Sequence, residues 1–165
     1  MNYNKSLTAT VYIVNKNRVL LHKHKKYNTW FPVGGHLEKD ELPHEAAIRE
    51  AKEESGLDIE IFEENPVSFS IGLVKKVPSP LAVYHEGTPG IEDFLDFIYA
   101  AVPRDTVIHP GDGESREFRW FTLPELLDEN ENIKIHIRNT AIHSLYYINR
   151  QKERKYFPET ENAIL

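Results

Sequence analysis

The sequence contains no cysteine, which excludes a disulfide framework and any chemistry that depends on a thiol. It also lacks a run of about 18 apolar residues, the length that a helix needs to cross a lipid bilayer. Positive charge is in deficit, because 20 lysine and arginine residues face 26 aspartate and glutamate residues and give a net charge of −6. Since broad electrostatic binding of nucleic acid needs a basic surface, we expect no stable nucleic-acid partner.

The remaining composition is typical of a globular protein. The chain has 165 residues, of which 40% are hydrophobic and 28% charged, which is enough for one domain with a substantial core. We therefore treat residues 1–165 as a single domain. The first residues lead into a strand-like run rather than a long apolar segment, so we expect no signal peptide, no membrane partner and a cytoplasmic location.

Apolar, β-branched runs predict the strands. Residues 8–15 and 18–24 are two such runs separated by two residues, which predicts a hairpin. Runs of similar character predict further strands at residues 58–63, 67–75, 94–102 and 116–121. The segment 78–93 is rich in proline, glycine and charge, and we interpret it as a long loop.

Three segments have the signature of helices. Residues 43–55 begin with Pro43, whose missing N–H costs nothing in a first turn, and are followed by Gly56, which can adopt the left-handed conformation that ends a helix. Capping-box spacing at residues 122–125 predicts the start of a short helix. Apolar residues at helical intervals predict a core-packed C-terminal helix over about residues 135–155. This order of elements indicates a mixed sheet between helical layers.

The predicted helix 43–55 carries three like charges on one face. Glu50, Glu53 and Glu54 stand at positions i, i+3 and i+4, so their carboxylates are neighbours. Each pair at 4 Å costs about 1 kcal/mol in water and about 4 kcal/mol at a surface-like dielectric constant of 20. Such a face is usually just solvated, but a hard divalent cation that prefers oxygen ligands would remove the repulsion.

These glutamates belong to a longer pattern. Gly35 is followed after five residues by Glu41, and after seven more residues comes the run Arg49-Glu50-Ala51-Lys52-Glu53-Glu54-Ser55-Gly56-Leu57. The pattern resembles the Nudix box over residues 35–57, with every fixed position filled. Since each of the seven fixed residue types makes up roughly 5–7% of proteins, a chance match is on the order of 10⁻⁸ per start position.

The resemblance implies a fold and a reaction. The fold is the Nudix α/β/α sandwich, with a mixed central sheet and an added C-terminal helix. The reaction is hydrolysis of the diphosphate linkage in a nucleoside diphosphate joined to another moiety, or in a related organic diphosphate, by metal-activated water. The implied cofactor is Mg²⁺ or Mn²⁺, with one to three ions, and the implied partner is a small-molecule nucleotide or diphosphate. Many relatives dimerise, so both a monomer and a homodimer stay open.

Two other functions within the family were weighed. A Nudix-like module could bind a nucleotide as a sensor without cutting it, but such modules usually lose the box glutamates, and this chain keeps them. The isomerases of the family need an active-site cysteine, which this chain lacks. The sequence does not name the leaving group, because the family's substrate-specific motifs are missing.

The resemblance also implies a ligand set and supporting residues. The Gly35 carbonyl and the carboxylates of Glu50, Glu53 and Glu54 would hold the metal. Glu117, three residues before a tryptophan, would join them or take the proton of the attacking water, with Glu53 and Glu54 as the other catalytic candidates and Glu114 as the nearest rival of Glu117. Structural support would come from an ion pair of Glu41 with Arg49, and from Gly56.

Candidate substrate contacts flank the box on its N-terminal side. On a strand, Lys23 and Lys25 lie on one face and His22, His24 and Lys26 on the other. Either row could bind phosphates, with Lys23 and Lys25 as the candidates, although a charged strand end is the more frequent explanation. Trp30 could stack on a base, while Gly34 and His36 enter the box in the stretch that resembles the family's Trp-x-Pro-x-Gly-Gly segment. Asp96 lies within an apolar strand, where it could border the pocket or simply face solvent.

Overall fold

In the computed structural model, residues 6–64, 70–88 and 92–156 are described. Within them the elements follow in this order: β1 (Ser6–Asn15), β2 (Arg18–Lys23), β3 (Trp30–Phe31), β4 (Val33–His36), α1 (Pro43–Ser55), β5 (Ile59–Ile61), β6 (Ser70–Ile71), β7 (Val74–Lys75), β8 (Ala82–Thr88), β9 (Glu92–Pro103), β10 (Phe118–Thr122), α2 (Leu123–Leu127) and α3 (Ile135–Tyr156). None of the helices in these described ranges is long and apolar enough to span a membrane.

The main sheet is mixed and has the order β10-β2-β1-β9-β5. β1 and β9 run parallel, with Thr8 opposite Asp96, whereas β2, β4, β5, β8 and β10 pair antiparallel with their neighbours. The end of β1 pairs with β2, and its first half pairs with β4, in the register Thr10 to Gly34. β4 therefore lies beside the centre of the sheet and carries the residues that precede α1.

Helices cover both faces of the sheet. On one face, the small residues of α1 are buried against β1 and β4; they are Ala46, Ala47, Ala51 and Ser55. On the other face, α3 buries Ile137, Ala141, Leu145 and Ile148. The buried residues form two hydrophobic clusters, one on each side of the sheet. The predicted mixed sheet between helical layers, with a C-terminal helix, is confirmed.

One loop and one strand predicted from the sequence are wrong. The segment predicted as a loop over 78–93 contains β8, which pairs along β9 in the register Val83 to Phe97. The proline and glycine residues of this segment are typical of loops, whereas the strand is defined by its hydrogen bonds to the next strand. The strand predicted over 67–75 is instead the short pair β6 and β7 around Gly72, which has a φ of 59°; residues 67–69 lie outside the described part.

Helix α1 is fixed at both ends, which holds its glutamates in place. Leu42 at the N-cap has no side-chain oxygen, but its own N–H donates to the Glu45 carboxylate at 3.0 Å. At the other end Gly56 adopts the left-handed conformation with φ 77°, and its N–H donates to the Lys52 carbonyl at 2.9 Å. The predicted start and end of this helix agree with the structure.

Glu125 caps α2, and we expect its contribution to stability to depend on pH. Its carboxylate accepts hydrogen bonds from the Thr122 hydroxyl and N–H at 2.7 and 2.8 Å and from Arg119 at 2.7 Å. These contacts lower the pKa of Glu125 to about 2. A lowered pKa means that the stabilisation is present above the unfolded pKa of about 4.5 and is lost as the pH falls toward 2.

Glu125→Gln should therefore lower the melting temperature more at pH 7 than at pH 3. We expect less than about 1 kcal/mol, because the Arg119 and Glu125 side chains are each 37% exposed and water screens their attraction. Thermal melts monitored by circular dichroism at both pH values measure the effect, with the exposed Glu129→Gln as the matched control. Equal losses at the two pH values would contradict this account of the cap.

Candidate active site

Arg49 is the centre of an ion-pair network at the start of the glutamate face. Its guanidinium donates to both carboxylate oxygens of Glu41, at 2.8 and 3.0 Å, and to the His36 carbonyl at 3.0 Å. It also donates to Glu50 at 2.8 Å and to Glu53 at 3.1 Å. These contacts lower the pKa of Glu41 and raise that of Arg49. The network ties the loop after β4 to α1.

Gly35 and Glu50 are in close approach. A Cβ atom built on Gly35 would lie 2.3 Å from Glu50 Oε1, so a side chain at this position would push the carboxylate away. The backbone of β4 therefore passes directly beside Glu50 because residue 35 is glycine. This leaves the strand and the carboxylate side by side, without a side chain between them.

Glu54 and Glu50 are the two largely buried members of the three glutamates, with side chains that are each 14% exposed, whereas that of Glu53 is 55% exposed. Glu54 Oε2 accepts a hydrogen bond from the Gly34 N–H at 2.8 Å. Burial raises the pKa of Glu54 to about 8, and the charges of Glu50, Glu114 and Glu53 add to the shift, against the lowering effect of the Gly34 N–H. Near pH 7 Glu54 therefore favours its protonated form as long as no cation offsets the burial and the neighbouring negative charges.

His22 lies beside Glu54, with Nε2 4.0 Å from Oε1 of the carboxylate. Burial lowers the pKa of His22 to about 4, so the ring is neutral near pH 7 and does not compensate the charge of Glu54. Its ring stacks on Phe118 from β10, with 5.7 Å between the centroids. The sequence offered His22 only as part of a row that could meet phosphates; its place beside Glu54 could not be predicted, because β2 and α1 meet only in the folded protein.

The structure does not bring Glu117 to the other glutamates, contrary to the prediction. Its side chain is 63% exposed, and its carboxylate lies 3.9 Å from the Lys23 ammonium. His22 and Phe118 are paired across β2 and β10 on the α1 side, so alternation turns Lys23 and Glu117 to the other face. Glu114 is close enough for its charge to raise the pKa of Glu54, and it replaces Glu117 as the nearby acid.

The carboxylate side chains do not form a preorganised metal-binding cluster. Over the described ranges 6–64, 70–88 and 92–156, no group of three or more His, Cys, Asp or Glu side chains is placed to hold an ion. Glu50 and Glu53 point to Arg49, whereas Glu54 points to the Gly34 N–H. The three acids share one turn of helix, but their oxygen atoms are engaged with protein donors.

Comparison with known proteins decides the family. A sequence model of the NUDIX domain matches residues 4–140, which is most of the chain and includes the network around Arg49. The chain belongs to the Nudix family. The resemblance seen in the sequence is confirmed, and the protein is a Nudix hydrolase. Hydrolases of this family act on nucleoside diphosphates linked to other moieties and generally use divalent metal ions.

Solved structures support the assignment. A NUDIX hydrolase from Clostridium perfringens is 35% identical, with a TM-score of 0.77 over 88% of this chain and 99% of that chain. A MutT NUDIX hydrolase from Burkholderia pseudomallei is 20% identical, with a TM-score of 0.62 over 86% and 96% of the two chains. An ADP-ribose pyrophosphatase from Streptococcus suis is 15% identical, with a TM-score of 0.59 over 88% and 92%. The last two show the shared Nudix fold and carry no substrate assignment.

The predicted substrate contacts of this Nudix protein fall in different places. Trp30 is 7% exposed and packs edge-on against Phe121 with centroids 5.0 Å apart, so it belongs to the core and is not placed to stack on a substrate. Lys25 donates to the Gly113 carbonyl, and Lys23 lies near Glu117. Lys23 is thus the last residue of β2 and Lys25 lies between β2 and β3, and both contact the segment that leads into β10.

Gly34 and His36 lie on β4, next to the Nudix glutamates. The Gly34 N–H binds Glu54, as described above, and the His36 carbonyl accepts from Arg49. The His36 ring packs edge-on against Phe94, with centroids 5.7 Å apart. These residues therefore connect the glutamate face with the opposite side of the sheet. Gly56 has no contact with the carboxylates beyond ending the helix that carries them.

Asp96 is buried. From the sequence alone, exposure to solvent was an equally good explanation of a charged residue within this apolar strand. The Asp96 side chain lies on the sheet face that α3 covers, and it accepts hydrogen bonds from Thr8 and Thr10, both at 2.9 Å. The sequence signal for this site is the Thr8-x-Thr10 alternation in β1. Only the parallel register of β1 with β9 reveals that these threonines face Asp96.

Proposed function

We propose that this Nudix hydrolase uses Mg²⁺ or Mn²⁺ to cleave the diphosphate bridge of a nucleoside diphosphate joined to another moiety. One observation carries the proposal: three glutamates share one turn of α1, and burial together with the neighbouring like charges raises the pKa of Glu54. A buried concentration of negative charge is costly unless a cation or a proton neutralises it. Oxygen-rich acidic sites of this kind suit hard divalent ions.

The residues present fit such an ion by their chemistry. Glu50, Glu53 and Glu54 would supply carboxylate oxygens, and the Gly35 carbonyl is a further candidate because nothing separates β4 from Glu50. Binding requires Glu50 and Glu53 to turn away from Arg49, which keeps its bidentate contact with Glu41. Bound divalent ions, from one to three in number, would neutralise the diphosphate oxygens and make water a stronger nucleophile.

The chain's own residues would position the substrate and move the proton. Once a bound cation has offset the burial and lowered the pKa of Glu54, so that the carboxylate is ionised, it would be the group best placed to accept a proton from the attacking water, because the Gly34 N–H fixes its orientation. Water would attack phosphorus in line with the bridging oxygen, so that the bridge breaks into two phosphates. Glu53 is the second candidate base, and we place Glu114 ahead of Glu117 as the assisting acid, since its charge acts on Glu54.

Basic groups near the site would orient the phosphates. Lys23 and Lys25 are the candidates at the end of β2, and the N–H groups of β4 near Gly34 and His36 are the candidates at the glutamates. A monomeric or homodimeric state, a cytoplasmic location and a single domain over residues 1–165 stay predictions.

Removal of divalent ions tests the proposal. We expect the purified protein with MgCl₂ to release nucleoside monophosphate from at least one member of a nucleoside diphosphate panel. EDTA should lower turnover by about 10²-fold or more, because charge neutralisation is worth several kcal/mol in the transition state, and added Mg²⁺ or Mn²⁺ should restore it. Turnover that resists EDTA, or calorimetry that detects no uptake of either ion, would contradict the metal assignment.

The non-catalytic sensor remains the second candidate, and one observation favours it. Arg49 already donates hydrogen bonds to Glu50 and Glu53, so two of the three glutamates have a protein partner that competes with a metal ion. The same panel separates the two functions: a sensor binds nucleotide in calorimetry but releases no monophosphate at any concentration of Mg²⁺ or Mn²⁺.

A further inference from the structure

A carboxylate is buried on the face of the sheet opposite to the Nudix glutamates. Along β9, Tyr99 and Ala101 pack with the α1 cluster, whereas Ile98 and Ala100 pack with the α3 cluster. By alternation Asp96 belongs to the α3 face, and it is 7% exposed. It has no part in the proposed reaction.

Asp96 carries an electrostatic cost that its protein contacts only partly offset. Thr8 donates to Oδ1 and Thr10 donates to Oδ2, but each carboxylate oxygen can accept a further hydrogen bond. Among the described ion pairs, none includes Asp96. Burial raises its pKa, and the charge of Glu86 on the neighbouring strand raises it further. The position of Asp96 therefore carries negative potential, and its carboxylate oxygens can accept further hydrogen bonds.

The two sides of Asp96 differ in burial. Tyr84 stands opposite Asp96 on β8, and its hydroxyl lies 2.9 Å from that of Thr140, so α3 closes the face there. Toward the other side, Thr8 and Thr10 are only half-buried, and so is Phe94 two residues before Asp96. This is the side from which a small group would have to approach Asp96.

Gly34 connects this face with the proposed cleavage site. Its N–H binds Glu54 at 2.8 Å, while a Cβ atom on Gly34 would lie 2.9 Å from the Thr10 hydroxyl that binds Asp96. Gly34 therefore contacts Glu54 through its N–H, and it lies so close to Thr10 that a side chain at this position would not fit. In the described part of the sheet β4 pairs with β1 alone, so a substrate that reaches both sides would pass along its other edge.

We propose that Asp96, held by Thr8 and Thr10, is a specificity residue that accepts a hydrogen bond from the exocyclic amino group of the substrate's nucleobase. The inference rests on the proposed function only in assuming a nucleotide substrate. A carboxylate accepts hydrogen bonds and repels phosphate, so it suits the base end of the molecule rather than the diphosphate. Bare backbone at Gly34 and the ring of Phe94 suit a flat group. The candidate donors are the amino groups of adenine and cytosine, which uracil and thymine lack.

Binding of nucleoside monophosphates tests this without turnover. We would measure isothermal titration calorimetry in EDTA with two matched pairs: AMP against purine riboside monophosphate, which lacks only the amino group, and CMP against UMP. In at least one pair the amino-bearing member should bind about 10-fold or more tightly, the effect of one hydrogen bond to a charged group. In Asp96→Asn the preference should fall to less than about 3-fold, because a neutral amide is a weaker acceptor than a carboxylate.

Asp93→Asn is the matched control. Asp93 lies on the same strand, its side chain is 7% exposed, and it bonds to His85 on β8, but alternation places it on the other face. This variant should keep the wild-type preference. Equal affinity within both pairs for the wild type overturns the inference, even if Asp96→Asn does not fold. So does a preference that Asp96→Asn retains. A wild type that shows the preference but hydrolyses nothing contradicts only the proposed function.

Discussion

Replacing Glu54 by glutamine should lower turnover by about 10²-fold or more, with no loss of stability in metal-free buffer. The amide still accepts the hydrogen bond from the Gly34 N–H, so the geometry of α1 and β4 is retained. It cannot act as a base, and it removes a negative charge from the ion site. Because burial and the charges of Glu50, Glu114 and Glu53 already disfavour the ionised form, a neutral side chain is not penalised.

Steady-state kinetics with MgCl₂ and thermal melts in EDTA measure the two halves of this prediction. Glu60→Gln is the control, because Glu60 is an exposed glutamate on β5 and should keep both turnover and melting temperature. Wild-type turnover in Glu54→Gln would remove Glu54 from the mechanism. A large drop in melting temperature would instead assign the residue a structural role.

Replacing Gly56 by alanine should destabilise the fold by about 2–5 kcal/mol. Gly56 has φ 77°, where a residue with a Cβ pays about 1–2 kcal/mol. The added Cβ would also lie 2.3 Å from the carbonyl oxygen of His109. The N–H of His109 donates to the Ser55 carbonyl, which holds this segment in place, so the backbone of one of the two segments must move. Forcing such an overlap costs about a further 1–3 kcal/mol. Urea denaturation with linear extrapolation gives the change in free energy of unfolding.

Gly72→Ala separates the two contributions. Gly72 has a similar φ of 59°, but no atom lies within 4 Å of its added Cβ, so only the backbone cost of about 1–2 kcal/mol remains. A loss for Gly56→Ala no greater than that for Gly72→Ala would show that the contact with His109 is not tight in solution.

The resemblance at residues 35–57 allowed much of the site to be predicted from the sequence. The helix signals at Pro43 and Gly56 are local, because they depend on the backbone preferences of single residues. The spacing of Glu50, Glu53 and Glu54 is also local, since 3.6 residues per turn places them on one face. The family and the fold followed from these features, and both are confirmed.

Features that depend on strand pairing could not be predicted in the same way. β8 was interpreted as a loop because the proline, glycine and charged residues of 78–93 are typical of loops, whereas the strand is defined by its pairing with β9, from Ala82 opposite Ile98 to Thr88 opposite Glu92. Glu117 was assigned to the metal site by its distance from Trp120, but its register opposite Lys23 turns it to the other face. Trp30 was a stacking candidate by composition, and its position against Phe121 makes it core.

The sequence by itself determined the acidic turn of α1, the ends of that helix and the family to which the chain belongs, because each of these depends on residues close together in the chain. Only the tertiary structure decided which acids lie together. It places Glu54 beside Gly34 and His22, with Glu114 close enough to affect the pKa of Glu54. It turns Glu117 away from these glutamates, and it places the hydroxyls of Thr8 and Thr10 against Asp96. The reason is physical. Burial and charge proximity arise from contacts between distant segments, and the register of β1, β2, β4 and β9 sets those contacts.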